Sequence, residues 1–187
     1  MENNTQPYIF DSKEILGQGL VHLINVQLPN NSIMVELGTW SAQTTCLIAQ
    51  KCNNISKIYT VDPYKPYYNY LEKINIDEKQ IDNAKILAKH NIKYSGVSNK
   101  IDLIEKDGLD YVKSVEDNSI DIIFWDAEVD NNSLYKDLSA WYPKLKTNGI
   151  FSGHNWSGFR NIIIDFNKKV NGSNISVHDD VWVWIKK

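Results

Sequence analysis

The sequence predicts an α/β protein with a Rossmann-like, doubly wound and mostly parallel seven-stranded sheet, helices on both faces and an antiparallel hairpin at its C-terminal edge. Two observations predict this fold. Short apolar runs alternate with segments of helical periodicity, as consecutive βαβ units require. The early apolar runs are continuous rather than alternating, which is typical of strands buried on both faces of a parallel sheet.

No repeat, linker or low-complexity stretch divides the 187 residues, and that length is enough for one domain with its own core. We therefore predict a single domain over 1–187. It consists of an N-terminal helical segment, 1–28, and a Rossmann-like core, 30–187.

The first half of the chain contains the elements that define the sheet. Residues 11–27 have helical spacing after Asp11 or Ser12 as N-cap. The following elements are, in order, a buried strand at 33–37, a helix at 41–51 capped by Ser41, a strand at 57–61, an aromatic loop at 64–70, and a helix at 77–91 capped by Asp77.

The second half of the chain continues the alternation of strands and helices and then ends in two consecutive strands. Its predicted elements are a strand at 101–104, a helix at 109–115, a strand at 120–125, a helix at 132–143, a strand at 150–152 and a helix at 158–170. The last two strands, 175–178 and 181–185, are close enough in sequence to form a hairpin.

Composition excludes several classes of protein. The net charge is -3 and no long basic run occurs, so we expect no nucleic-acid partner. No apolar run approaches the roughly 18–20 residues that span a bilayer, so we expect no membrane partner. The N-terminus lacks the pattern of a signal peptide, and Cys46 and Cys52 are interpreted as free thiols, which together predict a cytoplasmic protein.

Polar residues follow five predicted strands at the point where each strand ends. An acid after one strand is often only a helix cap, but five polar signals on one rim indicate a ligand site, because parallel sheets bind ligands beyond their carboxyl ends. These signals are Glu36 with Gly38, Asp62, Asp107 with Gly108, Asp126, and His154 with Asn155.

The turn after the first strand narrows the choice of ligand. It lacks the Gly-Lys-Ser/Thr of a phosphate-binding loop, and of the dinucleotide glycines only Gly38 is present. An acid such as Glu36 suits an amino group better than a phosphate. Asp62 lies about 20–25 residues after this turn, the spacing at which a carboxylate binds a ribose diol. A nucleoside joined to an amino acid without phosphates is S-adenosyl-L-methionine.

Three blocks of sequence resemble the class I S-adenosylmethionine-dependent methyltransferases, and most of all their small-molecule O-methyltransferase branch. The blocks occur in the family's order and spacing. They are VELGTWSAQTTCLIA at 35–49, IYTVDPY at 58–64, and the segment 120–156 with its strand, Asp-Ala, helix, strand and polar pair.

The resemblance implies a set of cofactor contacts at matching positions. Glu36 and Gly38 would line the methionine end, beside a turn formed by Thr39 and Trp40. Asp62 would accept both ribose hydroxyls. Pro63 and Tyr64 would lie beside the adenine, with Asp107 and Gly108 near its edge. Asp126 would face the methyl group and the acceptor.

The resemblance also implies the catalytic residues, Asp126 and His154, and leaves two routes open. In the metal-dependent branch the positions of Asp126, His154 and Asn155 bind a divalent cation, which would ionise the acceptor hydroxyl. His154 stands where that branch has Asp, and imidazole is a poor ligand for magnesium. In the other route His154 is the general base and Asp126 positions it.

Two departures from the family pattern keep a second function open. Ala42 replaces a glycine, which is tolerable if the backbone there is helical, and Val129 replaces the usual Lys or His base. The leading hypothesis is O-methylation of a small hydroxylated acceptor, such as a sugar or glycan unit. The alternatives are a catalytically inactive cofactor-binding or interaction module and, more weakly, a dehydrogenase-like nucleotide binder.

Two further features bear on surfaces. Trp182 and Trp184 alternate along one face of the last strand and indicate either core or a homodimer surface. His178, Asp179 and Asp180 form the turn of the closing hairpin and are interpreted as a solvated turn.

Overall fold

The structure is a computed structural model that describes residues 18–69, 71–127 and 131–187. A seven-stranded sheet forms its centre, and a separate two-stranded ribbon follows the second strand. The strands of the main sheet are β1 (Ser32–Leu37), β2 (Ile55–Val61), β5 (Ile101–Ile104), β6 (Ile120–Trp125), β7 (Leu145–Gly153), β8 (Ser176–His178) and β9 (Val181–Ile185). The ribbon consists of β3 (Tyr67–Asn69) and β4 (Ile74–Ile76).

The strand order is β5-β2-β1-β6-β7-β9-β8. The first five strands in this order are parallel, β9 is antiparallel to β7, and β8 is antiparallel to β9. The predicted fold class is therefore confirmed, including the hairpin at the C-terminal edge.

Helices cover both faces of this sheet. They are α1 (Gln18–Gln27), α2 (Gln43–Lys51), α3 (Glu78–Tyr94), α4 (Gly108–Tyr111), α5 (Asn131–Trp141) and α6 (Trp156–Lys169). One apolar core joins α1, α2 and α3 to the sheet, and a second joins α5 and α6 to its other face. The rings of Trp182 and Trp184 stack with centroids 4.9 Å apart inside the second core, so both tryptophans are core residues.

Chain direction across the sheet reverses between β1 and β6. From β1 the chain builds outward through β2 to β5, and it then returns to β6 and builds outward through β7. In doubly wound sheets such a reversal marks the crevice that binds ligands, which places it here at the carboxyl ends of β1 and β6.

Several predicted boundaries differ from the structure. Ser41 does not cap α2, because the N-cap residue is Ala42, which makes no side-chain capping bond. The predicted cap of α3 is confirmed, since the Asp77 side chain accepts a hydrogen bond from the Gln80 amide within a capping box. The predicted aromatic loop contains β3, and α6 begins at Trp156 rather than at Gly158.

The predicted first helix is confirmed from residue 18 onward, and its proposed caps, Asp11 and Ser12, lie outside the described residues. Within residues 18–69, 71–127 and 131–187, we find no helix that is both long and apolar enough to cross a membrane.

Candidate functional site

Hydrogen bonds that continue the sheet draw the polar strand ends into one rim. Beyond the last paired residues, the Gly38 amide donates to the Val61 carbonyl at 2.9 Å and the Asp126 amide donates to the Leu37 carbonyl at 2.7 Å. The His154 amide donates to the Trp125 carbonyl at 2.9 Å. The residues that follow β1, β2, β6 and β7 therefore lie side by side, as the sequence predicts.

Gly38 lies at the centre of this rim and permits a close approach of two chain segments. Its φ of +94° is a conformation that side chains with a Cβ rarely adopt. A Cβ at this position would lie 2.3 Å from the Asp126 carbonyl oxygen. Only glycine lets the turn after β1 pass this close to the segment after β6.

Asp62 organises the turn that follows Gly38. Its Oδ2 accepts hydrogen bonds from the amides of Thr39 at 3.1 Å and Trp40 at 3.0 Å. Its Oδ1 accepts one from the Tyr64 amide at 2.8 Å. Burial raises the pKa of Asp62, and these three backbone bonds oppose that rise. The carboxylate thus fixes the turn before any ligand arrives.

The turn needs such support because its backbone is strained. Trp40 and Ala42 have φ values of 46° and 59°, in the left-handed region. The expectation of a right-handed helical backbone at Ala42 is therefore wrong. Each such residue costs about 1–2 kcal/mol relative to a right-handed conformation, and the bonds to Asp62 offset part of that cost.

Glu36 lies behind the turn and is only 1% exposed. Its carboxylate accepts hydrogen bonds from the hydroxyls of Thr45 and, at 2.6 Å, Thr60. Burial is the main cause that raises the pKa of Glu36 to about 8; the two hydroxyls lower it, and the charges of Asp126 and Asp62 raise it further. Glu36 is therefore mostly protonated near neutral pH, and the neighbouring carboxylates of Asp62 and Asp126 are the groups that favour a cationic ligand.

The backbone of His154 is fixed on both sides. Its amide bonds to β6, and its carbonyl accepts a hydrogen bond from the Trp182 Nε1 at 3.0 Å. Trp182 packs so closely on Gly153 that a Cβ there would lie 2.3 Å from the Trp182 ring. The last strand therefore holds the residue that the sequence identifies as catalytic.

The His154 ring lies between two carboxylates. Its Nδ1 is 3.2 Å from the Asp126 Oδ1, and its Nε2 is 4.0 Å from the Asp180 Oδ2. Asp180 is itself fixed at the start of α6, where its Oδ1 accepts from the Ser157 amide at 2.7 Å. This arrangement can stabilise an imidazolium after the ring takes a proton.

Asp180 is the functional residue that sequence reasoning missed. The interpretation of Asp180 as part of a solvated turn is wrong, because this side chain caps a helix and faces His154. A signal was present in the predicted hairpin. An antiparallel strand starts at the edge where its parallel neighbours end, so the residue before β9 had to lie on the rim.

The β5 end of the rim contains the predicted adenine-side residues. The Asp107 side chain accepts a hydrogen bond from the Leu109 amide at 2.8 Å and caps α4. A Cβ on Gly108 would meet only Leu37 and Trp141, at 3.6 and 3.7 Å. Pro63 is exposed directly after Asp62. The predicted contacts of these residues with a cofactor stay predictions.

The predicted metal ligands converge in part. Asp126 and His154 are in direct contact, and Asn155 follows as the N-cap residue of α6 in a left-handed conformation. Within the described part of the chain, no three His, Cys, Asp or Glu side chains are grouped so that they could hold a metal ion. A cation at this position would need Asn155 as its third protein ligand. Val129 lies outside the described residues.

Comparison with protein families gives one match. Residues 35–156 match the model of a family described as a methyltransferase domain. The matched segment runs from β1 to the start of α6 and includes every predicted site residue. Among curated protein sequences, none matches the chain significantly.

Solved structures with the same fold include three methyltransferases. A SAM-dependent O-methyltransferase from Thermotoga maritima has a TM-score of 0.67 and 11% identity, over 98% of this chain and 68% of that one. A methyltransferase from Geobacter sulfurreducens has a TM-score of 0.61 and 20% identity, over 91% and 77% of the two chains. An rRNA methylase from Streptococcus thermophilus has a TM-score of 0.63 and 11% identity, over 90% and 94%. At such low identities, the TM-scores show a shared fold and no more.

Proposed function

The chain belongs to the methyltransferase-domain family and is a class I S-adenosylmethionine-dependent methyltransferase, and we propose that it methylates a hydroxyl oxygen of a small acceptor, such as a sugar or glycan unit. The observation that carries this proposal is the contact between Asp126 and His154, 3.2 Å apart beside the Gly38 turn. The fold shared with the O-methyltransferase from Thermotoga maritima supports it.

The residues of the rim fit S-adenosyl-L-methionine. The carboxylates of Asp62 and Asp126 favour its positive charges, and the carboxyl of Glu36, whose pKa burial raises to about 8, lies behind them as a neutral group. A carboxylate has about four acceptor positions. In Asp62, three of them already accept hydrogen bonds from backbone amides. We therefore refine the predicted ribose contact: Asp62 accepts one ribose hydroxyl, and a second requires one of those bonds to break.

The remaining cofactor contacts follow the order of the rim. We propose that Thr39 and Trp40 contact the methionine end and that the adenine lies along the β5 side. The residues we assign to that side are Pro63, Asp107 and Gly108.

When bound, S-adenosylmethionine would supply its sulfonium methyl group: transfer to the acceptor oxygen would break the methyl–sulfur bond and release adenosylhomocysteine as a neutral thioether. His154 takes the proton of the acceptor hydroxyl as that oxygen attacks. Asp126 orients the ring through the Nδ1 contact and stabilises the imidazolium that forms. General-base catalysis of this kind contributes about 10²–10⁴-fold in rate.

We assign the proton transfer to His154 because its ring lies between the carboxylates of Asp126 and Asp180, which stabilise the imidazolium that the transfer forms. A metal-assisted route would use Asp126, His154 and Asn155. Activity that survives dialysis against EDTA supports the His154 route, and activity that is lost and returns with added manganese or magnesium contradicts it.

The test of the proposed function is methyl transfer from labelled cofactor to a panel of sugars, catechols and other hydroxylated compounds. His154→Asn is expected to lower kcat by at least about 100-fold while adenosylhomocysteine binds as in the unmodified protein. The matched control is His22→Asn, an exposed residue on α1. Cofactor binding without transfer to any acceptor would favour the inactive module instead.

A further inference from the structure

The ribbon after β2 forms a compact hairpin, which we call the bridging hairpin and define as residues 67–76. Its strands pair Tyr67 with Ile76 and Asn69 with Ile74. The buried Asn69 side chain accepts a hydrogen bond from the Glu72 amide at 2.8 Å and so closes the turn. The hairpin is therefore an ordered element with its own internal bonds.

The base of the bridging hairpin is attached to the β1 and β2 side of the rim. The Tyr64 hydroxyl donates to the Trp40 carbonyl at 2.9 Å, and the Tyr64 amide bonds to Asp62. At the other end of the hairpin, Ile76 is buried in the core that contains α2 and α3. Both ends of the hairpin are thus fixed on one side of the crevice.

The tip of the bridging hairpin reaches the other side. Leu71 packs against Gly158 in the first turn of α6, which follows β7. A Cβ on Gly158 would lie 2.6 Å from the Leu71 Cδ2, so the absence of a side chain at Gly158 permits this contact. The strands β1 and β6 lie between β2 and β7. A hairpin that starts after β2 and ends against α6 must therefore pass over the ends of β1 and β6.

We propose that the bridging hairpin covers the active-site crevice, and we call it the roof in this role. The contact of Leu71 with Gly158, which we call the seat, holds the hairpin in this position. This inference rests on the proposed function for the crevice beneath it, where Gly38 and Asp126 lie. A seated roof admits a small acceptor or the end of a polymer chain and excludes an internal segment of a folded macromolecule. The Leu71–Gly158 contact thus acts as a specificity determinant.

The test locks the seat with a disulfide. The Leu71 Cγ, which marks where a cysteine sulfur would lie, is 3.6 Å from the Cβ position of Gly158, so the sulfurs of cysteines at both positions can approach the ~2 Å of an S–S bond. Cys46 and Cys52 are free and fully buried, so they do not compete for the new bond. The variant is Leu71→Cys with Gly158→Cys, compared in its oxidised and reduced forms.

The association rate of adenosylhomocysteine is measured by stopped-flow fluorescence of the tryptophans. Oxidation is expected to slow association by at least 10-fold, and dithiothreitol is expected to restore it. Equal rates in the two forms would contradict the proposal that the hairpin covers the crevice. Failure of the disulfide to form would contradict the contact between Leu71 and Gly158.

A second arm does not depend on cofactor binding. Trypsin can cleave after the exposed Lys73 in the tip, whereas Lys65 is protected because Pro66 follows it. Gly158→Ala is expected to speed cleavage after Lys73 by about 5–10-fold, because its methyl group displaces Leu71. Gly19→Ala is the matched helical control, since its nearest neighbour is 3.6 Å away, and it is expected to leave that rate unchanged.

The two arms separate the roof from the proposed function. If neither the variant nor the unmodified protein binds adenosylhomocysteine, the proposed function fails, and the roof over that site fails with it. The disulfide and trypsin results still decide whether the hairpin is seated on α6. Equal cleavage in Gly158→Ala and Gly19→Ala would contradict the seat.

Discussion

The two halves of the rim hold their carboxyl groups through different kinds of contact. In the cofactor half, at the ends of β1 and β2, Asp62 accepts three backbone amides and Glu36 is buried between two threonine hydroxyls. In the acceptor half, at the ends of β6 and β7, Asp126, His154 and Asp180 approach through side chains at 3.2 and 4.0 Å. Main-chain amides and buried hydroxyls fix the carboxyl groups of the first half, whereas contacts between partly exposed side chains bring the second half together.

This difference agrees with the ligands that we propose for each half. A methyltransferase family keeps one methyl donor and changes its acceptor, so a pre-formed donor site and a variable acceptor site are expected. Backbone amides have the same geometry whatever the neighbouring side chains are, whereas a carboxylate and an imidazole can be replaced one at a time. The comparison predicts that changes in the cofactor half alter folding and binding together, and that changes in the acceptor half alter turnover.

The largest effect is expected at the joint between the halves. Gly38→Ala places a Cβ 2.3 Å from a backbone carbonyl and requires a left-handed alanine. Neither conflict can be relieved by a side-chain rotation, so we expect the free energy of unfolding to fall by more than about 5 kcal/mol, an exceptional loss for one substitution. Urea unfolding at 25 °C measures it.

Gly19→Ala is the matched control for this change. It adds the same methyl group to an exposed helix position and is expected to raise the free energy of unfolding by about 0.5–1 kcal/mol. A Gly38→Ala protein that unfolds within 1 kcal/mol of the unmodified chain would show that the two halves are not tightly joined.

A pH dependence of stability is expected from the cofactor half. Burial raises the pKa of Glu36 from 4.5 to about 8, so the folded chain holds a proton that the unfolded chain releases. The stabilisation is complete below pH 4.5 and is lost as the pH rises toward 8, with a total of about 3–5 kcal/mol.

Glu36→Gln removes this titration and keeps a similar shape. The free energy of unfolding is measured at intervals from pH 5 to pH 8.5 in both proteins. The slope is expected to flatten in the variant. If both proteins lose the same free energy over this range, another group is responsible and Glu36 is ionised in the fold.

A smaller effect is expected at Asp62. In Asp62→Asn, an amide group replaces one carboxylate oxygen and meets backbone amides that also donate. We expect a loss of about 2 kcal/mol in the free energy of unfolding, as for other buried bonds to a charged acceptor, and about 30-fold weaker binding of adenosylhomocysteine by calorimetry.

The control for this substitution is Asp82→Asn, because Asp82 is an exposed acid on α3. It is expected to change neither quantity. Binding weakened without any loss of stability would mean that Asp62 contacts the ligand but does not hold the turn.

The sequence was sufficient to predict the sheet because its central strands are continuous apolar runs with polar ends. It was not sufficient for β3 and β4, because runs of three residues are too short for an alternating pattern to identify a strand. Ser41 was predicted to cap α2 because serine is a residue type that often caps helices. The residue that instead fixes this turn is Asp62, 21 positions further along the chain, and local sequence rules do not include that distance.

Site prediction was limited in the same way. Asp126 and His154 follow parallel strands, so the rule for strand ends identified them and the structure brings them into contact. Asp180 precedes a strand, and the same rule does not include it. The role proposed for Gly158 depends on its distances to Leu71, and these are known only from the folded structure.

The smallest effect is expected at Asp180, and it distinguishes the halves most sharply. Asp180→Asn keeps an acceptor oxygen for the Ser157 amide but removes the charge that lies 4.0 Å from the His154 Nε2. At a partly exposed site that charge stabilises an imidazolium by about 1 kcal/mol, so kcat is expected to fall about 5–10-fold while the Kd of adenosylhomocysteine changes less than twofold. Asp179→Asn, which alters the neighbouring exposed pair with His178, is the control and is expected to leave kcat unchanged. Equal losses in the two variants, or a loss in cofactor affinity instead of kcat, would mean that Asp180 only caps α6 and that the acceptor half depends on Asp126 and His154 without it.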